Sequence, residues 1–243
     1  MANDLLLLSS SVVHGSGYLA YAMELIQEFL DGRSEVVFAP FASRDHVGYT
    51  SRVQTTLAPL GVTVTGLHAI GDPGPAIQSA GALFVGGGNT FRLLRDLYRL
   101  NLIDVIRRAV ADGSVRYMGA SAGTNVACPT MRTTNDMPIV QPPGLDALGL
   151  VPFQINPHYQ DPDPDSTHRG ETREERIMEF LEENDVPVLG LREGSWLLRL
   201  GASLTLGGAK PARLFHRGRD PREFAPGSGL SALLATVPRF DVN

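Results

Sequence analysis

The sequence predicts an α/β fold: a doubly wound, mostly parallel sheet flanked by helices, with antiparallel strands near the C-terminus. Three observations carry that expectation. Between residues 4 and 123, short apolar runs alternate with longer amphipathic ones at the cadence of strand, crossover helix, strand. Two glycine-rich turns, residues 86–88 and 119–123, each follow an apolar run and open a helical pattern, as happens at the carboxyl ends of parallel strands. Beyond residue 195 the runs become short and alternating, which favours antiparallel strands.

In chain order, the first strand is expected at residues 5–9. A helix follows over 18–30, with Leu19, Met23, Ile26 and Leu30 at helical spacing and Gly32 as its stop. Strands are expected at 35–39, 62–67, 82–85 and 115–119, separated by helices at 52–60 and 91–111. The run Leu100-Asn101-Leu102 divides the second of these into two. The pattern then loosens into proline-rich stretches at 137–143 and 161–165, read as loops over the sheet. An apolar run at 151–155 ends in Asn156-Pro157. An amphipathic helix at 171–183 leads to a strand at 186–191, and further strands are expected at 196–200, 203–206 and 213–216. No repeat or flexible linker interrupts the chain, so a single domain over residues 1–243 is expected.

Composition narrows the function. Of 243 residues, 43% are hydrophobic and 19% charged, ordinary for a globular protein with one sizeable core. The net charge of -5, with no basic run carrying interleaved aromatics, argues against a nucleic-acid binder. The apolar stretch at residues 5–8 is too short for a signal or a membrane span, so no membrane association and a cytoplasmic location are expected. Cys128 is the sole cysteine, which excludes an internal disulfide and a cysteine-based metal cluster within one chain. Lys210 is the sole lysine, and that bias toward arginine reads as compositional.

The residues that carry chemistry centre on Gly119-Ala120-Ser121-Ala122-Gly123. A serine between glycines after an apolar run is how a strand-to-helix turn presents a nucleophile, because only small neighbours fit so sharp a turn. A hydroxyl needs a base to take its proton and a third group to orient that base. Of the six histidines, His158 emerges at a strand end, where the crevice of an open sheet lies. The alternatives His14, His46, His68, His168 and His216 lack that setting. Two carboxylates are candidates for the orienting role. Asp136 lies on the segment leaving the elbow helix, and Glu193 follows another strand beside Arg192. The residues favour Asp136 modestly and leave the choice open. The turn Gly86-Gly87-Gly88-Asn89-Thr90 gathers backbone amides at a helix start but lacks the spacing of a dinucleotide fingerprint or a P-loop. An oxyanion hole from the amides of Gly88 and Ala122 is therefore expected, with Asn89 beside it as a substrate-binding candidate.

Taken together, residues 85–91, the Ser121-Ala122-Gly123 and Cys128-Pro129-Thr130 segments, residues 132–140, residues 154–158 and Gly170-Glu171-Thr172-Arg173 resemble the peptidase E family. These are aspartyl dipeptidases, serine peptidases of family S51 related to class I glutamine amidotransferase-like folds. The resemblance runs along most of the chain and is less clear at 161–169 and after residue 211. It implies hydrolysis of dipeptides with an N-terminal aspartate through a serine acyl-enzyme, with no metal and no cofactor. Ser121 matches the family's nucleophile, His158 its base and Asp136 the residue usually taken as third member. Glu193 matches a position also proposed for that role. An aspartyl side chain calls for a cation, and Arg173 is the candidate, its planar fork suiting a carboxylate. The expected partner is thus a small peptide, bound by a monomer or homodimer. Two other readings stay in view: a cyanophycinase-like peptidase acting on aspartate-arginine units, and a non-catalytic binding protein on the same fold. An α/β-hydrolase esterase would need His216 as its base and ranks lowest.

Overall fold

The computed structural model describes residues 3–163, 165, 167 and 170–242. Its strands are β1 (Leu5–Leu8), β2 (Glu35–Ala39), β3 (Thr63–Gly66), β4 (Ala82–Val85), β5 (Arg116–Ala120), β6 (Gln154–Pro157), β7 (Val188–Leu191), β8 (Ser195–Leu200), β9 (Ser203–Gly208), β10 (Ala212–His216) and β11 (Arg219–Phe224). The α-helices are α1 (Met23–Leu30), α2 (His46–Leu57), α3 (Pro73–Ser79), α4 (Thr90–Arg99), α5 (Ile103–Ala111), α6 (Ala122–Asn125) and α7 (Arg173–Glu183).

Seven strands form one sheet in the order β3-β2-β4-β5-β1-β8-β9, in which β1 to β5 run parallel and β8 and β9 add an antiparallel edge. Parallel strands covered on both faces read as continuous apolar runs, and β1 is four leucines, all with no exposed surface. Leu5 and Leu7 join one apolar layer with Leu83, Val85 and Ile106, while Leu6 and Leu8 join the opposite layer with Phe38, Phe84 and Ile26. Burying each such side chain contributes about 1.5–3 kcal/mol, so this strand anchors both layers.

The sequence places the strands of the parallel sheet well and the helix starts less well. Helix α2 begins at His46, six residues before the apolar spacing is evident, because the Asp45 side chain accepts from the Gly48 amide (2.8 Å) and caps it. The break between α4 and α5 falls where expected, with Asn101 in the left-handed region at φ 53°. Helix α3 has no sequence counterpart: it holds two prolines, tolerated because Pro73 sits in the first turn behind the Asp72 cap. Strand β11 is also unanticipated, since its outer-edge position leaves residues 219–224 largely polar.

The largest difference is a second sheet. Strands β7 and β10, expected as strands with no sheet assigned to them, belong to a separate four-stranded sheet in the order β11-β10-β7-β6, where β6 and β7 are parallel. The carboxyl ends of β6 and β7 therefore converge on those of β1, β4 and β5. Ser9, just past β1, makes the link: its hydroxyl donates to the Leu191 carbonyl at the end of β7 (2.6 Å). Among the described residues no helix is long and apolar enough to cross a membrane. His168 lies outside the described residues.

Candidate active site

The turn after β5 is shaped by what its glycines must avoid. A Cβ on Gly119 would come within 2.6 Å of the Gly123 carbonyl oxygen, and one on Gly123 would fall onto the Val85 carbonyl oxygen. Between them Ser121 adopts φ 54°, ψ -109°, a conformation that costs an L-residue about 1–3 kcal/mol. Its backbone is held on both sides: the Ser121 amide donates to Leu8 (3.1 Å) and its carbonyl accepts from Asn125 (2.9 Å). The buried Thr124 hydroxyl adds a 2.6 Å bond to the Leu8 carbonyl. The strained turn lifts the Ser121 side chain out of the packed layer, leaving it half-buried.

His158 leaves β6 with φ 55°, a second left-handed non-glycine residue in the same crevice. Its amide donates to the Ser9 hydroxyl (3.0 Å), so Ser9 bridges β1, β7 and the histidine. The imidazole Nε2 lies 2.8 Å from Ser121 Oγ and Nδ1 lies 2.6 Å from Glu193 Oε1. A carboxylate only accepts, which puts the proton on Nδ1 and leaves Nε2 free to take the serine proton. Glu193 reaches this position because Arg192 is occupied elsewhere. The Arg192 guanidinium is clamped between Asp161 (2.8 Å) and Glu223 (2.9 Å), not paired with its neighbour Glu193.

The expectation that Asp136 orients the imidazole is not met by this geometry. Oδ2 of Asp136 accepts from the Thr90 amide (2.7 Å) and hydroxyl (2.6 Å) at the start of α4, and from the Thr134 hydroxyl (3.2 Å). The strand β6 dictates this. Asn156 donates to the Thr133 carbonyl (2.9 Å) and Asn135 donates to Pro157 (2.7 Å), which stitches residues 133–135 along β6 and turns Asp136 toward α4.

Two cavities meet at Ser121 and His158. The smaller, about 240 Å³, is lined by Ala122, Asn125, Thr134, Asp136 and Arg173 among others. Arg173 begins α7 behind a Thr172–Glu175 capping box and has no hydrogen bond or ion pair among the described residues. Burial pulls its pKa below the usual guanidinium value, Arg176 acts in the same sense, and Asp136 opposes them. The larger cavity, about 510 Å³, holds Gly87, Gly88, Tyr18, Tyr49 and several arginines.

Gly88 and Ala122 thus flank the serine from the two sides. Gly88 takes φ 134°, and a Cβ there would strike the Ala42 carbonyl oxygen at 2.5 Å, so only glycine fits. Burial raises the Tyr49 phenol above its usual pKa, and the Gly87 backbone beside it opposes that shift. Neither the Gly88 nor the Ala122 amide donates to a backbone carbonyl among the described residues, so both can serve a developing oxyanion. Asn89 is placed at the cavity wall with its amide committed: Oδ1 accepts from Arg92 (3.1 Å) and Nδ2 donates to Met137 (2.9 Å). It acts here as the cap of α4. His216 belongs to β10, and Ser121 pairs with His158 instead. Among the described residues no three His, Cys, Asp or Glu side chains come together as metal ligands.

Sequence reasoning missed Ser9. Nothing in a run of serines at residues 9–11 marks which hydroxyl will bridge two sheets.

Comparison with known proteins gives a consistent assignment. A family model described as Peptidase family S51 matches residues 5–207. A protein named peptidase E from Streptomyces coelicolor is 59% identical over 238 residues, 98% of this chain and 98% of that protein. A probable alpha-aspartyl dipeptidase from Drosophila melanogaster is 48% identical over 235 residues, 96% of this chain and 98% of that one. Among solved structures, a putative peptidase E from Listeria monocytogenes matches with a TM-score of 0.66 at 25% identity. That match covers 86% of this chain and 100% of its own.

Proposed function

Because the chain belongs to peptidase family S51, we propose that it is a serine dipeptidase that hydrolyses the bond after an N-terminal aspartate. The observation that carries this reading is the hydrogen-bonded series Ser121 Oγ, His158 Nε2, His158 Nδ1, Glu193 Oε1, with links of 2.8 and 2.6 Å. It has the order that activates an alkyl hydroxyl: nucleophile, base, orienting carboxylate. The names of the relatives, peptidase E and alpha-aspartyl dipeptidase, point to the same reaction. They lend no support to a polymer-cleaving alternative.

In the proposed cycle, Ser121 Oγ attacks the carbonyl carbon of the aspartyl residue while His158 Nε2 takes its proton. Glu193 stabilises the imidazolium. The oxyanion forms against the amides of Gly88 and Ala122. When the tetrahedral intermediate collapses, the C–N bond breaks and His158 returns the proton to the departing amine. Water, activated by the same nitrogen, then cleaves the acyl-enzyme and releases aspartate.

The smaller cavity suits the aspartyl residue because it carries one charge of each sign. Arg173 would receive the β-carboxylate in a bidentate pair. The Asp136 Oδ1 atom faces no hydrogen-bond donor among the described residues, the bonds from Thr90 and Thr134 all falling on Oδ2, and would take the α-ammonium. Replacing the aspartyl carboxylate by an amide removes the charge from that pair and should cost about 1.5–3 kcal/mol, roughly 10- to 100-fold in kcat/KM.

Hydrolysis of Asp-Leu, Glu-Leu, Asn-Leu and N-acetyl-Asp-Leu by the wild type and by Ser121→Ala tests the reading. The expected result is selective cleavage of Asp-Leu, lowered by at least about 10³-fold in Ser121→Ala with the fold retained. Turnover that survives in the variant would remove Ser121 from the mechanism. Equal cleavage of the acetylated peptide would remove the requirement for a free amine.

A further inference from the structure

We propose that the larger cavity receives the departing residue, and that Arg44, Arg52 and Arg92 in its wall select a free C-terminal carboxylate together with an acidic side chain. Asp-Glu and Asp-Asp would then be preferred dipeptides. The inference rests on the dipeptidase reading above and adds the identity of the second residue.

Two cavities open from the same Ser121–His158 pair. The acyl part and the amine part of a peptide leave a tetrahedral carbon in different directions, so one cavity must hold each. With the aspartyl group assigned to the Arg173 side, the departing residue falls to the other. That larger cavity, about 510 Å³, is lined by three arginines against one carboxylate, Asp45. The charges sum to 3 - 1 = +2 in a protein whose net charge is -5. The Asp45 carboxylate is already turned to its own helix, accepting from the Gly48 amide (2.8 Å). None of the three arginines has a carboxylate partner among the described residues. Arg52 rests over the Tyr18 ring at 5.9 Å, and the half-buried Arg92 side chain has no hydrogen bond among the described residues. The neighbouring Arg95 and Arg99, by contrast, both pair with the buried Asp96.

The tyrosines of the cavity do not alter that sum. Tyr18 donates to Tyr49 (3.2 Å), and burial raises both phenols above their usual value, so both stay neutral. A dipeptide's α-carboxylate lowers the local charge to +1, and an acidic side chain brings it to zero. A longer peptide has no carboxylate at that position, and a basic second residue in a dipeptide leaves the charge at +2. The cavity therefore discriminates both length and side chain through one set of groups.

The test is kcat/KM for Asp-Glu, Asp-Leu, Asp-Leu-amide and Asp-Lys, with the wild type and the double variant Arg44→Glu, Arg92→Glu. Arg44 is exposed and Arg92 half-buried, so each contact is screened, and the wild type should prefer Asp-Glu over Asp-Lys by about tenfold, through KM. Amidation of Asp-Leu should raise KM in the same sense. The double variant should reverse the order of Asp-Glu and Asp-Lys. Because the readout is a ratio of two substrates within one protein, partial loss of folded enzyme cancels. Equal kcat/KM for Asp-Glu, Asp-Lys and the amide in the wild type would overturn the inference while leaving the dipeptidase reading intact. No hydrolysis of any aspartyl dipeptide would overturn both.

Discussion

The two carboxylates of the site have different hydrogen-bond partners, and those partners separate their proposed roles. Glu193 touches His158 Nδ1 at 2.6 Å, whereas Asp136 is turned to Thr90 and Thr134. Glu193→Ala is expected to lower kcat by about 10²- to 10⁴-fold with KM little changed, since an unoriented imidazole fails in the transition state. Asp136→Asn is expected to act mainly on KM, by about tenfold, through loss of the charge paired with the substrate ammonium. Steady-state kinetics of both variants on Asp-Leu decide the matter: a kcat collapse in Asp136→Asn with Glu193→Ala near wild type would exchange the two assignments. Cys128 has no part in this chemistry. Its buried thiol accepts from the Ile155 amide (3.1 Å), and burial pushes its pKa well up, the reverse of an activated thiol.

The turn joining β5 to α6 concentrates the backbone constraints of the site. Three strands contribute: β5 supplies the entry, β4 blocks any side chain at Gly123, and β1 accepts the Ser121 amide through Leu8. Gly123→Ala would drive a methyl onto the Val85 carbonyl, a backbone atom that cannot rotate away. Overpacking of this kind costs about 1–3 kcal/mol, so Tm should fall by about 3–10 °C and activity should be lost. Thermal unfolding followed by circular dichroism, with Asp-Leu hydrolysis in parallel, checks both. An unchanged Tm would mean that β4 and α6 are not packed as described. The His158 end depends on its own element pair, since β6 and β7 run parallel and deliver His158 and Glu193 side by side. One register step between them would turn Glu193 to the opposite face.

Across the molecule, the site lies where two sheets meet, and two links hold that junction. Ser9 connects β1 to β7 and to His158, and Arg192 ties the Asp161 loop to the outer strand of the second sheet through Glu223. The hydrogen bond from Arg192 holds the Asp161 carboxyl below the usual carboxylate range. A carboxyl with a depressed folded pKa stabilises fully above its unfolded value, about 4, and loses that contribution as the pH falls through the folded value. Stability should therefore decline below about pH 4 and decline less steeply in Asp161→Asn, as read from urea unfolding between pH 7 and 3. Identical pH profiles would show that the clamp adds nothing to stability. Asp161 is half exposed, which makes its share small.

The order of the strands through residue 123, the elbow around Ser121 and the strand-end setting of His158 were all legible along the chain, because each rests on local rules. An apolar run buries on two faces, a glycine pair permits a tight turn, and a strand end opens to solvent. Helix α3 and strand β11 escaped notice because proline and charge hide them from periodicity. What the one-dimensional pattern could not rank was Asp136 against Glu193, nor could it reveal Ser9. Both questions turn on contacts between residues far apart in sequence: 35 positions separate His158 from Glu193, and 149 separate it from Ser9. A hydrogen bond depends on distances of a few tenths of an ångström, which only the packing of one sheet against the other sets. The chain thus carries its own list of chemical groups, and the folded arrangement alone pairs them.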